Sequence, residues 1–199
     1  MNPKKLIVVV STLIATNLYA QSNFEGLSGG VNLGLANAST DITISSTNFK
    51  QGDISQVGSL ELSYGVPLDT KSLITFGGTY GLGELKAGSV TVGSTGYDLK
   101  GKDMYSFYLA PGYLVSNTTL AYGKLAYTAM KGTLTLSSGT SASEDFKGWG
   151  YGAGIRTMLN EKTFLQIEFV QTIFNSITDS TIKSQPASTI GSIGIGYKF

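Results

Sequence analysis

The sequence predicts an all-β fold, an eight-stranded antiparallel up-and-down transmembrane β-barrel. Residues alternate between apolar and small or polar types in eight segments, as expected for strands with two different faces. The links between these segments are alternately long and short. Only 14% of the residues are charged, against about 25% in soluble domains, so much of the surface is expected to meet something other than water.

Composition favours strands over helices. The chain contains 26 Gly and 11 Tyr. An interior Gly costs a helix about 1 kcal/mol, whereas Gly suits tight turns and Tyr suits pleated strands. Because the 199 residues show no shift in composition along the chain, we expect one domain.

The first element is predicted to be a cleavable secretory signal peptide over residues 1–20. Two lysines precede an apolar run at 6–16, and the stretch Asn17-Leu18-Tyr19-Ala20 that follows matches the cleavage region of a secretory leader. A membrane anchor is the alternative, but this run would span only about 16 Å of a hydrocarbon core of about 30 Å. Cleavage between Ala20 and Gln21 would leave residues 21–199 as the barrel domain.

Eight strands are expected after the leader. No later segment has about 18 consecutive apolar residues, so a membrane would be crossed by strands. The faces opposite the apolar residues carry mostly Gly, Ser and Thr, which suits a cramped barrel interior better than the water-facing side of a soluble barrel or sandwich. Segment 120–130 divides its apolar residues between both faces, so its orientation stays open. The predicted strands span 27–35, 54–66, 73–83, 104–115, 120–130, 149–159, 164–173 and 189–199.

The links between these strands give an independent argument for a barrel. Strict alternation of length places every long loop at one end and every short turn at the other. Both chain ends then lie on the short-turn side, which requires an even number of strands. The long links cover 36–53, 84–103, 131–148 and 174–188, and the short ones cover 67–72, 116–119 and 160–163.

Aromatic residues cluster toward the ends of the predicted strands. A transmembrane barrel places such residues in two girdles at the two membrane–water interfaces. The alternative is that they pack in the core of a soluble protein. The candidate interfacial aromatics are Tyr64, Phe76, Tyr80, Tyr105, Phe107, Tyr113, Trp149, Tyr151 and Phe169.

Few charged residues fall within the predicted strands, as expected if a charge facing the bilayer midplane costs about 2–4 kcal/mol. Four of them stand at similar heights, and we predict that they form a lumenal charge layer in which they neutralise one another. Acid–base catalysis by the two glutamates is the alternative, but an eight-stranded barrel has an interior just wide enough for side chains. The four residues are Glu61, Lys124, Arg156 and Glu168.

Within this layer, Arg156 and Glu168 are expected to form an ion pair. If the short turn is centred between Glu161 and Lys162, the two residues are nearly opposite each other on antiparallel strands. A directly opposed Arg and carboxylate can bond in bidentate fashion, which would help to hold the two strands in register.

Composition also excludes several kinds of chemistry. The chain has no Cys and no His, so disulfides, a lipid-bearing Cys, and the usual zinc, Ser-His-Asp or His-base sites cannot form. We therefore expect no metal, no cofactor and no enzymatic activity. Two of the 14 basic residues lie in the leader, so 12 remain against 13 acidic ones, and nucleic acid is not an expected partner.

The C-terminal residues carry the most specific pattern, with apolar side chains at alternate positions and an aromatic residue last. These are Ile193, Ile195, Tyr197 and Phe199. Together with the Gly- and Tyr-rich hairpins before them, they give the chain from about residue 24 onward a pattern that resembles the OmpA/OmpX-like family of small outer-membrane barrels (outer membrane protein beta-barrel domain). The resemblance implies that the C-terminal pattern is an assembly signal read by the barrel-assembly machinery.

The resemblance also implies a location and a role. It places the chain in the bacterial outer membrane, among outer-membrane lipid and lipopolysaccharide, with short periplasmic turns and long extracellular loops. Lipid A palmitoyltransferases, which have barrels of this size, use a His that this chain lacks. We expect a structural or adhesin-like surface-interaction role through loops that contact an unknown extracellular ligand. A narrow or transient pore for small solutes is the alternative.

Overall fold

The computed structural model describes residues 23–44, 47–92, 95–136, 141–179 and 182–199. The expected leader and its cleavage site between Ala20 and Gln21 lie outside the described residues. Within the part of the chain that the structure describes, no helical segment has the length and hydropathy of a membrane span. The described residues form the strands β1 (Gly26–Ile44), β2 (Thr47–Pro67), β3 (Ser72–Leu82), β4 (Leu85–Val92), β5 (Thr95–Ser116), β6 (Thr119–Leu136), β7 (Ser141–Met158), β8 (Thr163–Phe174), β9 (Ile177–Asp179) and β10 (Ile182–Lys198).

These strands close into a barrel with eight positions. Neighbouring strands pair antiparallel in the order β1-β2-β3-β5-β6-β7-β8-β10, and β10 pairs back with β1. The two remaining strands add no positions, because β4 pairs with β5 beyond the end of β3, and β9 pairs with β10 beyond the end of β8. The predicted eight-stranded antiparallel up-and-down barrel is therefore confirmed.

The predicted strands were placed correctly but ended too early. Each predicted segment falls within an observed strand to within one residue. At the end opposite the short turns, however, the strands continue: β1 and β2 stay paired as far as Ile44 and Thr47. The expected irregular loops there are mostly paired strand, and we call them the long hairpins. They consist of the described residues within 36–53, 84–103, 131–148 and 174–188.

The two faces of the strands have opposite chemistry. Large apolar side chains point outward, and Leu60, Phe107 and Ile167, for example, are 47%, 66% and 59% exposed. Inward positions carry small or polar residues that are buried, such as Ser63 and Thr172. A soluble barrel would reverse this arrangement, so the outer wall is suited to lipid.

The orientation of β6, which the sequence left open, follows from its pairing with β5 and β7. Leu120, Tyr122 and Lys124 are buried in the interior, whereas Gly123 and Leu125 face outward. The inward Leu and Tyr fill the short-turn end of the lumen. Apolar residues therefore occur on both faces of β6, which is why its alternation was ambiguous.

Two short turns are closed in the same way by one side chain. Asp69 Oδ1 accepts hydrogen bonds from the backbone N–H groups of Lys71 (2.7 Å) and Ser72 (2.8 Å). Asn160 Oδ1 accepts the equivalent bonds from Lys162 (3.0 Å) and Thr163 (2.8 Å). Such bonds mimic a backbone turn and favour Asp and Asn at this position.

Candidate functional site

The lumen is crossed by the four residues of the predicted lumenal charge layer. Glu61 lies on β2, Lys124 on β6, Arg156 on β7 and Glu168 on β8, and their side chains are only 4–11% exposed. Charges removed from water in this way are costly unless they are paired and hydrogen-bonded. The pairing therefore decides whether the layer stabilises the barrel.

Each carboxylate of the layer has a cation. The Arg156 guanidinium contacts Glu61 through Nη2, and this pair spans the lumen because β2 and β7 lie opposite each other in the ring of eight positions. Lys124 Nζ lies 2.8 Å and 2.9 Å from the two carboxylate oxygens of Glu168. The layer therefore contains two acids and two bases and is neutral as a whole.

The predicted direct pair between Arg156 and Glu168 was wrong. In the β7–β8 register, Arg156 is opposite Gln166, and Glu168 is opposite Gly154. The turn is centred on Glu161, half a residue before the expected centre. The inward-facing residues of β8 are two positions apart. This small error therefore places Gln166, rather than Glu168, opposite Arg156.

Neutral amides complete the bonding around Glu61. Gln166 Oε1 accepts a hydrogen bond from Arg156 Nε at 2.9 Å, and its Nε2 donates to Glu61 Oε2 at 2.7 Å. The same Nε2 donates to Asn32 Oδ1 at 2.5 Å, while Asn32 Nδ2 donates to Glu61 Oε2 at 3.4 Å. Sequence reasoning missed both amides because it considered only charges, although the alternation places both on inward faces.

Two buried tyrosines, also missed from the sequence, contribute their hydroxyls. The Tyr108 hydroxyl donates to Glu61, and the Tyr122 hydroxyl donates to Glu168 Oε2 at 3.0 Å. Lys124 Nζ also lies 4.0 Å from the centre of the Tyr108 ring, within the range of a cation–π contact. Each carboxylate is thus bound by one cation and one phenol.

Apolar clusters lie on both sides of the charge layer. At the short-turn end, Leu73, Ala110 and Leu120 pack together with Tyr108 and Tyr122. At the long-hairpin end, the cluster consists of Ala36, Ala38 and Leu85, with Val57 and Ile190 packed against it. The charge layer therefore lies between two apolar clusters.

A small cavity lies beside the charge layer, on its long-hairpin side. Its volume is about 70 Å³, and Asn32, Lys124, Glu168, Thr128 and Thr172 are among its lining residues. This is room for a few water molecules at most. Among the described residues, no group of three or more His, Cys, Asp or Glu could hold a metal ion.

The segment before β1 covers the mouth of the lumen at the short-turn end. Asn23 Nδ2 donates to the backbone oxygen of Asn117, in the turn between β5 and β6 on the far side of the barrel. Phe24 packs against the cluster that includes Leu73. Gly65 makes room for this crossing, because a Cβ atom there would lie 2.2 Å from the Phe24 carbonyl oxygen. We call residues 23–25 the N-terminal strap.

The nine predicted interfacial aromatics lie on the outer wall. Tyr80 faces Tyr105 across β3 and β5, and Trp149 packs edge-on against Tyr127, with ring centres 5.4 Å apart. Tyr127 was not among the interfacial aromatics predicted from the sequence. Phe169 is different, because it adjoins Glu168 and so lies at the level of the charge layer rather than near an end of the barrel. The outward mid-barrel position requires only an apolar side chain.

The C-terminal residues form part of the seam that closes the barrel. Ile193, Ile195, Tyr197 and Phe199 are 44–70% exposed on the outer wall. The backbone N–H of Phe199 donates to the oxygen of Leu27 at 3.0 Å, which ties the last residue to β1. Their role as an assembly signal stays a prediction.

A closed antiparallel sheet with an apolar outer wall and a bonded polar interior defines a transmembrane β-barrel. A family model described as "Outer membrane protein beta-barrel domain" matches residues 6–199, and the chain belongs to this family. It is therefore a protein of the bacterial outer membrane, with short periplasmic turns and with the long hairpins outside the cell.

Several solved structures are similar to this chain. Neisserial surface protein A is 18% identical, with 88% of this chain and 100% of that chain covered and a TM-score of 0.50. The outer membrane protease OmpT of Escherichia coli is 8% identical, with 92% and 99% covered and a TM-score of 0.52. Ail, the attachment invasion locus protein of Yersinia pestis, is 16% identical, with 88% and 99% covered and a TM-score of 0.48. Likeness at these identities shows the fold alone. A comparison with curated protein sequences finds no match to this chain.

Proposed function

We propose that this outer-membrane protein has a structural or adhesin-like surface-interaction role, exerted through its long hairpins. The observation that carries the proposal is the filled lumen. The charge layer lies between two apolar clusters, and the cavity beside it measures only about 70 Å³. The interior thus offers little space for a substrate, whereas the hairpins offer a large surface outside the membrane.

The length of the long hairpins supports this role. β6 and β7 remain paired from Tyr127 and Trp149, at the aromatic girdle, to Thr135 and Ser141. At a rise of about 3.4 Å per residue, this ladder extends the sheet by about 25 Å beyond the girdle. A paired sheet presents its side chains on a rigid scaffold, which reduces the entropy lost when a partner binds.

The bonding of the carboxylates supports a non-catalytic role. Glu61 and Glu168 would be the candidate acid and base of the lumen. Each is already held by a cation and a phenol in a buried layer. A substrate would have to displace these contacts, at the cost of leaving a buried charge unpaired.

A narrow or transient pore is the second candidate. The cavity beside Lys124 and Glu168 favours it, because a polar space already exists next to the charge layer. Conduction would require the layer and both apolar clusters to rearrange. Single-channel recording in a planar bilayer tests this candidate directly.

The proposed role is tested with four variants, each of which has one long hairpin shortened. In the hairpin of β6 and β7, residues 134–142 are replaced by Asn-Gly, which forms a two-residue turn between Thr133 and Ser143. The variants are displayed on a non-adherent bacterium. In at least one of them, binding to host cells or extracellular matrix is expected to fall by about tenfold or more.

Heat-modifiable gel mobility is the control, because it shows whether each shortened barrel still folds. Equal binding by the unmodified chain and all four folded variants would contradict the proposal, as would a lack of binding by the unmodified chain. Discrete conductance steps from the unmodified chain would favour the pore instead.

A further inference from the structure

Three lysines on neighbouring strands form an exposed group on the outer face of the long hairpins. Lys102 lies on β5, Lys131 on β6 and Lys147 on β7. Lys102 is directly opposite Lys131, and Lys147 is opposite Ala129, two residues before Lys131. We call these three residues the lysine patch. Like charges directly opposite each other destabilise a sheet. An anion bound between these lysines would relieve their repulsion.

The surrounding charges leave the lysine patch with an excess of positive charge. Glu84 bonds Lys102 at 2.7 Å and Lys100 at 3.4 Å. Two further acids lie on this outward face, Asp103 beside Tyr80 and Asp145 opposite Lys131. Lys86 lies opposite Lys100, so the residues of this face whose side chains the structure describes include five lysines and three acids.

The height of the lysine patch matches the headgroup region of the membrane. Lys147 is two residues from Trp149 on the same face of β7, a separation of about 7 Å along the strand. Tyr127 and Trp149 belong to the extracellular aromatic girdle, which lies at the edge of the hydrocarbon core. The ammonium groups of the patch therefore lie just outside the hydrocarbon core, where lipid headgroups lie.

The opposite side of the barrel lacks this charge at the level of the girdle. Following the register from Tyr151 across β8, β10, β1 and β2, the outward residues are neutral. They are Gln171, Thr189, Asn37 and Ile54. At the level of the girdle, the described outward residues of β8, β10, β1 and β2 are thus neutral.

We propose that the lysine patch binds the phosphate groups of a phosphorylated glycolipid of the outer leaflet, the lipid A part of lipopolysaccharide. The apolar wall directly below the patch, which includes Phe107, Leu125 and Tyr127, accepts the acyl chains of the same molecule. A soluble phosphate would use only the cations. A membrane-anchored phosphate uses both surfaces, and a juxtamembrane position strengthens its attraction to lysine.

The chain offers a built-in probe and a matched control for this proposal. Trp149, the single Trp of the chain, reports binding at the patch by its fluorescence. The test variant is Lys131→Gln with Lys147→Gln, which leaves the bond between Lys102 and Glu84 intact. The control is Lys71→Gln with Lys162→Gln, which removes the same charge from two periplasmic turns.

Residues 21–199, the expected barrel domain, are refolded into phosphatidylcholine vesicles that contain increasing fractions of lipid A or of lipid A from which the phosphates have been removed. Inorganic pyrophosphate and a soluble sulfated glycan are added in separate arms. The unmodified chain and the periplasmic control should bind phosphorylated lipid A with equal affinity. The test variant should bind about tenfold to thirtyfold more weakly.

Three outcomes would overturn the proposal. One is equal binding of phosphorylated and dephosphorylated lipid A by the unmodified chain. Another is an affinity of the test variant within about twofold of the control. The third is displacement of lipid A by pyrophosphate or by the sulfated glycan at concentrations similar to that of the lipid, which would assign the lysine patch to a soluble anion.

Discussion

Charged side chains are arranged differently in the lumen and on the long hairpins. In the lumen, Glu61 and Glu168 each contact one cation and one phenol, and the layer is neutral. On the hairpins, Lys102 faces Lys131, and the neighbouring acids do not balance the lysines. The difference follows from solvent, because an unpaired charge is expensive in a buried lumen and is screened in water. We infer that the lumenal charges serve the stability of the barrel and that the hairpin charges are available to partners.

Removing one cation from the lumen should have the largest effect. Lys124→Met leaves Glu168 buried without its cation, which typically costs about 3–5 kcal/mol of unfolding free energy. The same change on a hairpin, Lys131→Met, should alter stability by no more than about 0.5 kcal/mol. Urea unfolding in lipid vesicles, followed by Trp149 fluorescence, measures both.

The double variant Lys124→Met with Glu168→Gln is the control for this comparison. Because it removes both charges of the pair, it should recover most of the stability lost in the single variant. Equal losses in the single lumenal variant and the hairpin variant would show that the two regions do not differ as described.

A smaller effect is expected at the periplasmic mouth. Phe24→Ala removes apolar contacts of the N-terminal strap with the cluster that includes Leu73, which should cost about 1–2 kcal/mol for a half-buried ring. Phe24→Leu keeps an apolar side chain and should retain most of the stability. If Phe24→Ala unfolds at the same urea concentration as the unmodified chain, the contacts of the N-terminal strap do not contribute to the stability of the barrel.

The smallest effect is expected in a periplasmic turn. Backbone hydrogen bonds from Lys71 and Ser72 hold the pKa of Asp69 below its ordinary value. A lowered pKa adds stability that is fully present above the unfolded-state pKa of about 4 and is lost as the pH falls through the folded-state pKa. Asp69→Asn should abolish this pH dependence and keep the turn, as Asn160 does before β8.

Carboxyl NMR of the refolded protein measures the titration of Asp69. The account predicts a midpoint below about 4. A midpoint at or above that value would mean that the two backbone hydrogen bonds do not persist in solution.

Much of the barrel wall could be predicted from the sequence. On β7, Trp149, Tyr151 and Ile155 alternate with Gly residues. These three large side chains face outward. This works because lipid and lumen act as different solvents on the two faces of each strand. On the long hairpins, runs of Ser, Thr, Gly and Asp interrupt the alternation and resemble loop sequences. The predicted strands therefore stopped near the girdle, although the pairing continues.

The lumenal contacts could be predicted only in part. Inward faces and similar heights were enough to group Glu61, Lys124, Arg156 and Glu168. They did not determine the partners, because the contact of Arg156 with Glu61 crosses the barrel between strands that share no turn. Spacing rules apply to neighbouring strands, and even there a shift of half a residue in the turn replaced Glu168 by Gln166 as the residue opposite Arg156.

Two double-mutant cycles measured together test the central claim, that Arg156 is paired across the lumen with Glu61. One cycle combines Arg156→Met with Glu61→Gln, and the other combines Arg156→Met with Glu168→Gln. From urea unfolding in lipid vesicles, we predict a coupling of about 2 kcal/mol or more in the first cycle and a clearly smaller coupling in the second. Strong coupling to Glu168 together with additive effects at Glu61 would contradict the account.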